Sequence, residues 1–103
     1  MEISETSIFT RQVDNSLTEV EYRSLQIALL IRPDGGSVIP GSGGLRKLRW
    51  GLPGRGKREG IRVIYYLAPT AGRIYLLYLY PKNVRSDLTP TELRVLRKLI
   101  NDN

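Results

Sequence analysis

Two runs, Ile61–Ala68 (IRVIYYLA) and Arg73–Tyr80 (RIYLLYLY), are separated only by Pro69-Thr70-Ala71-Gly72. Each is dense in β-branched and aromatic residues, the composition of a strand. The link between them is a turn sequence, too short for a crossover, so the two strands must lie antiparallel. Just upstream, Leu45–Trp50 (LRKLRW) alternates with period two, which sets Lys47 and Arg49 on one side and Leu48 and Trp50 on the other. It joins the pair through Gly51–Gly60 (GLPGRGKREG), where four glycines and one proline in ten residues mark a loop. Three strands in a meander are therefore the fixed element around which the remaining chain must pack.

The remainder reads mainly as helix. Thr18-Glu19-Val20-Glu21 has the spacing of a capping box, in which the Thr hydroxyl and the Glu carboxylate satisfy each other's free amides. The helix it opens should run to Ile31, because the residue before Pro33 resists helical geometry. At about 100° per residue, Tyr22, Leu25 and Leu29 share one stripe, while Val20, Ile27 and Ile31 lie nearly opposite. Burial of both stripes is the expected outcome, and a docking face for a partner is the alternative. A second capping box, Thr89-Pro90-Thr91-Glu92, opens a last helix whose apolar stripe is Leu93, Leu96 and Ile100. Thr6–Thr10 (TSIFT) reads as a short first strand, Arg11–Ser16 as a helical turn or a loop, and Ser37–Gly44 (SVIPGSGG) as a loop. The fold class is α+β: a small, largely antiparallel sheet backed by helices, in one domain spanning residues 1–103.

Charge narrows the function. The chain carries a formal +6, and Arg46–Arg62 holds seven Lys/Arg against the single acid Glu59. Outside that segment acids and bases balance. A local excess of this kind suits a polyanion, nucleic acid ahead of a membrane surface or an acidic protein, although a merely solvated basic face has the same composition. Lys47 and Arg49 share a strand face. Arg62 shares one with Ile64 and Tyr66, and Tyr78, Tyr80 and, if the strand extends, Lys82 share a third. If these faces coincide, cations for phosphate lie beside rings that stack on unpaired bases. Arg55, Lys57 and Arg58 would overhang that surface.

The chain has no cysteine and no histidine. Disulfides, thiolate metal sites and imidazole acid–base pairs are thereby excluded, and a reducing cytoplasm is compatible. The acids are scattered, so no carboxylate cluster for a metal nuclease is expected, and no cofactor is called for. No apolar run approaches the length of a membrane helix, and the polar N-terminus lacks a signal-peptide core. The nucleolytic chemistry still open is metal-free RNA cleavage, in which the RNA supplies its own 2′-hydroxyl nucleophile. The protein must align that group, take its proton, hold the charged phosphorane and protonate the leaving oxygen. Arginine forks suit the phosphate oxygens, and a lysine among other cations becomes a better base.

The strings GGLRKLRW, GRGKREGIRVIYY and RIYLLYLYPKNVRSDLT, followed by a C-terminal helix, resemble the RelE superfamily of bacterial type II toxins, within it the HigB-like branch. The resemblance covers about Leu17 to Ile100. It implies an mRNA interferase that works in the ribosomal A site without metal. It also implies a cognate antitoxin, often one that binds DNA. By matching position, it assigns Lys47 and Arg49 to phosphate binding or the base, Arg62 to transition-state charge, and Lys82 to the basic position after the last strand. Position 83, commonly an arginine proposed as general acid, is Asn83 here, and the stacking tyrosine of other members falls near Thr89. Lys82, Lys57 or Arg58 could replace the acid, and Tyr80 the stacking ring. The RNA-contact set is then Arg46, Arg55, Lys57, Arg58, Tyr78, Tyr80 and Asn83, and the antitoxin contact is Val20, Ile27 and Ile31. The Asn83 departure favours one rival, a non-catalytic or gyrase-inhibiting member of the fold, and an RNA-binding accessory protein is a third reading.

Overall fold

The structure is a computed structural model that describes residues 1–52 and 60–101. Five strands form one sheet: β1 (Glu2–Glu5), β2 (Ser37–Val38), β3 (Leu45–Trp50), β4 (Ile61–Ala68) and β5 (Arg73–Pro81), in the order β1-β5-β4-β3-β2. Helices α1 (Ser7–Ser16), α2 (Glu19–Ile31) and α3 (Pro90–Asn101) complete the α+β architecture that the meander and the two capping boxes predict. β1 is parallel to β5, and the other neighbours are antiparallel. The turn between β4 and β5 closes with the Gly72 N–H donating to the Pro69 carbonyl at 3.1 Å. Gly72 sits there at φ +64°, a conformation that costs other residues about 1–2 kcal/mol.

The two sheet faces have separate cores. On one, Val63, Tyr65, Ile74, Leu76 and Leu79 meet Phe9 and Val13 of α1 and Leu25 and Leu29 of α2. On the other, Leu45, Ile64, Leu77 and Tyr80 meet Leu88 and the α3 residues Leu93 and Leu96. Strict alternation could not put both Leu76 and Leu79 on the first face. A bulge resolves this: Ile64 pairs with Tyr78 but Tyr65 pairs with Leu76, leaving Leu77 as the extra residue. Each fully buried leucine stabilises the fold by roughly 1.5–3 kcal/mol. Both capping boxes form. Thr18 Oγ1 accepts from the Glu21 N–H at 3.1 Å, and Thr89 Oγ1 accepts from the Glu92 N–H at 3.2 Å.

The loop after α2 is fixed by one buried hydroxyl. Tyr65 donates to the Pro33 carbonyl at 2.7 Å and accepts from the Gly36 N–H at 2.8 Å. A Cβ on Gly36 would lie 2.8 Å from the Tyr65 ring, so only glycine lets the backbone approach.

The N-terminal reading is corrected in two respects. The first strand is Glu2–Glu5, and Thr6–Thr10 is not a strand: Thr6 is the N-cap of α1, its hydroxyl accepting from the Phe9 N–H at 3.0 Å. Phe9 and Val13, four apart, are the side chains α1 buries, which settles Arg11–Ser16 as helix. The Ser37–Gly44 loop also contributes β2, whose residues pair with Lys47 and Arg46. On α2 the second stripe is not buried: Val20 is 78%, Ile27 50% and Ile31 73% exposed. No described helix is long and apolar enough to cross a membrane.

Candidate nucleic-acid interface

Register on the α3 side of the sheet assembles three rows across β3, β4 and β5. The first is Leu45, Tyr66 and Tyr75; the second is Lys47, Ile64 and Tyr78; the third is Arg49, Arg62 and Tyr80. α3 lies over the first, where the Arg97 guanidinium sits 4.6 Å from the centre of the Tyr66 ring. At the opposite end the cations emerge. Arg49 and Arg62 stand directly opposite one another on the same face, with Lys47 two residues along β3. Like charges set face to face across strands are destabilising, so this row is poor design for stability and good design for holding an anion.

Among the described residues, the acid beside the row is Asp87, in the segment between β5 and α3. Its Oδ1 accepts from Lys47 Nζ at 2.6 Å. That hydrogen bond and charge, joined by Arg49 and Arg62, hold its carboxyl below the usual carboxylate range. The segment is anchored on both sides. Arg85 forks onto Glu92 at 2.6 and 2.9 Å, and its Nε donates to the Asp87 carbonyl at 3.1 Å. The Tyr80 hydroxyl donates to the Ser86 carbonyl at 3.1 Å. Beside Lys47, Arg49 and Asp87 opens a groove of about 560 Å³, walled on its far side by Val38, Ile39 and Pro40.

The structure thus brings Lys47, Arg49 and Arg62 together. Lys82 follows directly after Pro81, exposed, its N–H donating to the Gly60 carbonyl at 3.0 Å. This extends the β4–β5 pairing one residue and gives Lys82 the parity of Tyr80. Asn83 is exposed in the turn closed by the Val84 N–H and the Pro81 carbonyl at 3.2 Å. Tyr78 is half-buried against the α3 core. Arg55, Lys57 and Arg58 lie outside the described residues.

Two of the expected RNA contacts are engaged within the fold. Arg46 belongs to the opposite sheet face, where its Nη1 donates to the carbonyls of Gly36 at 2.7 Å and Asp34 at 3.3 Å. It clamps the loop after α2. Tyr80 is only 3% exposed, so its ring offers no stacking surface. Burial, then the Asp87 charge, raises its hydroxyl above the usual tyrosine range.

A family model, RelE toxin of the RelE / RelB toxin–antitoxin system, matches residues 35–102. The chain belongs to the RelE toxin family. Its fold is similar to that of a solved structure, a double arginine-to-alanine mutant of the E. coli toxin RelE in the free state. The TM-score is 0.60 at 12% identity, covering 92% of this chain and 94% of that one. The RelE match includes every element of the cationic row, since it begins at the loop before β2 and runs through α3.

What sequence reasoning missed in this RelE-family chain is Asp87 and its Arg85–Glu92 anchor. Glu92 reads correctly as a capping carboxylate, but its second oxygen and its pairing with Arg85 are tertiary facts. The available signal was the capping box itself. It fixes where α3 begins, and so forces residues 85–88 to return along the end of the sheet.

Proposed function

We propose that this single toxin domain is a ribosome-dependent mRNA endoribonuclease of a type II toxin–antitoxin pair, in the HigB-like branch of its family and acting in the cytoplasm. The observation that carries the reading is the opposed pair Arg49 and Arg62 beside Lys47. Three cations held within one pleated patch match the phosphate of a single kinked ribonucleotide. The 2′-hydroxyl gives up its proton to water, its oxygen attacks the adjacent phosphorus, the P–O5′ bond breaks, and a 2′,3′-cyclic phosphate is left. Arg49 and Arg62 hold the non-bridging oxygens as charge develops. Lys47 enters as the ammonium that pairs with Asp87 here and adds the third charge. Lys82, at the exposed start of the turn, is the candidate donor to the leaving oxygen, in place of the arginine absent at Asn83. No member of this set has a neutral-range imidazole to move protons, which favours a mechanism in which the ribosome supplies alignment.

The antitoxin is assigned to the exposed stripe of α2, Val20, Ile27 and Ile31, since an apolar stripe left open on an amphipathic helix suits a partner. Next to Ile31 lies an apolar hollow formed with Ala28, Leu29, Leu48 and Trp50. Ile27→Asp should weaken neutralisation in a co-expression growth assay while leaving toxicity and fold intact.

The test of activity is induction of wild type against Arg62→Ala and Lys47→Ala, with the 5′ ends of transcripts mapped. Codon-linked cuts that disappear in the variants support the nuclease, and full toxicity of both variants removes the assigned site. A second reading is favoured by Asn83 and by the burial of Tyr80: a non-catalytic or gyrase-inhibiting toxin. It predicts intact messages with DNA damage. An RNA-binding accessory protein predicts no growth arrest at all.

A further inference from the structure

Asp87 stands in an unusual place for an acid. Its side chain is 69% exposed and reaches Lys47 Nζ at 2.6 Å, and its charge is felt by Arg49 and Arg62 as well. Exposed ion pairs between two mobile side chains contribute little. Here the backbone that carries the acid is fixed. The Ser86 carbonyl is held by the Tyr80 hydroxyl, the Asp87 carbonyl by Arg85 Nε, and Arg85 in turn by both oxygens of Glu92. Leu88 is buried in the α3 core immediately beyond. The chain therefore presents one carboxylate to the cationic row from a braced segment, and the two oxygens of that carboxylate have the charge and spread of the non-bridging oxygens of a phosphodiester.

Resting on the RNA-cleaving reading, we propose that Asp87 is an internal counter-ion of this site: its carboxylate occupies the position on Lys47 that an RNA phosphate takes in the complex, and must be displaced for RNA to bind. Asp87 is thus a positioning residue that weakens the hold of the free protein on RNA, so that a message already aligned by a larger body competes best. The placement has a thermodynamic signature. When RNA takes a cation that its own chain neutralises, the salt ion released from the phosphate is offset by one drawn to the freed carboxylate, so no net ion is released. Binding of single-stranded RNA gains a slope of about −0.7 in log K against log salt for each cation that does release one. Freeing Lys47 from Asp87 should add one such increment.

The experiment measures binding of a short single-stranded RNA, made uncleavable by 2′-O-methyl groups, to purified wild type and Asp87→Asn across a salt series. Asp87→Asn is isosteric at an exposed position and retains the fold. It should bind several-fold tighter at low salt, with a slope steeper by about 0.7. In a Lys47→Met background the same Asp87→Asn change should leave the slope where it was. Equal slopes in the wild-type background, or weaker binding by Asp87→Asn, overturn the counter-ion while leaving RNA binding standing. An absence of salt-dependent binding by both proteins removes the RNA-binding reading and the counter-ion with it.

Discussion

The two ends of the α3-side sheet face are built on the same three strands and obey the same pleat, yet they do opposite work. At one end Leu45, Tyr66 and Tyr75 lie in a row beneath α3. Four residues along β3 and β4, Arg49 and Arg62 stand opposed, and among the described residues the braced Asp87 segment brings an acid to them. The strand pattern alone does not separate these ends, since period two puts a side chain on this face at every second position in both. The difference is made by where α3 stops covering the sheet. Under the helix an apolar row lowers the free energy. Beyond it the chain keeps a pair of like charges that, among the described residues, only the Asp87 charge offsets, an arrangement that burial does not justify and that fits the proposed binding surface.

Exchanging one residue of the arginine row and one of the adjoining core row should break the two apart. Arg62→Ala removes the proposed phosphate-binding fork, and mapped transcript cleavage should fall by about 100- to 1,000-fold. Its thermal midpoint should hold or rise, because a like-charge opposition is relieved. Ile64→Ala, one row away on the same strand, deletes a side chain that is 1% exposed and should cost about 2–5 kcal/mol in a denaturant melt. Cleavage per folded molecule should be kept. If Arg62→Ala instead melts as early as Ile64→Ala, the cationic end is structural and the contrast collapses.

How much of this was readable beforehand follows from what each feature depends on. The β3–β4–β5 meander and both capping boxes depend on local periodicity, turns and loops, which sequence carries directly, whereas the coincidence of the Lys47, Arg49 and Arg62 faces waited on the register across the loop 51–60. β1 was misplaced because it is a four-residue edge strand with the polar pattern EISE, and Ile3 alone of its side chains packs on the core. The β-rich look of TSIFT then drew the strand onto what is a cap and a first helical turn. The exposed α2 stripe was unreadable for a different reason: two apolar stripes say nothing about how many layers the chain can supply, and here α3 went to the other face. Arg46 and Tyr80, expected as RNA contacts, are engaged by tertiary partners, the Asp34 and Gly36 carbonyls for one and the Ser86 carbonyl for the other. No local pattern encodes either.

Tyr80 sharpens the same contrast on a finer scale, since it belongs to the arginine row by register and to the α3 core by burial. Tyr80→Phe removes the hydrogen bond to Ser86 and should cost about 1 kcal/mol in a denaturant melt. Because the ring is buried, cleavage should change only as far as the Asp87 segment loosens, by a few-fold at most. A loss as deep as that of Arg62→Ala would instead mean that the hydroxyl reaches the message.

The smallest effect concerns how α3 is tied to the cationic end. Glu92 has its carboxyl lowered from the ordinary 4.5 to about 2, first by the Arg85 fork and then by the Thr89 N–H. A depressed carboxyl stabilises the fold above its unfolded value and loses that contribution as the pH falls. Between about 4.5 and 2 the unfolded chain binds the proton first, so stability must decline across that window. Glu92→Gln cannot ionise and has no such window. Its thermal midpoint should sit a few degrees below wild type near neutrality, and the gap should close as the pH is lowered toward 2. The effect is modest because water reaches the pair and screens it. A gap that stays constant across the acid range would mean that the carboxylate acts only as a hydrogen-bonding cap. Arg85 would then be free to swing, and with it the brace that aims Asp87 at Lys47.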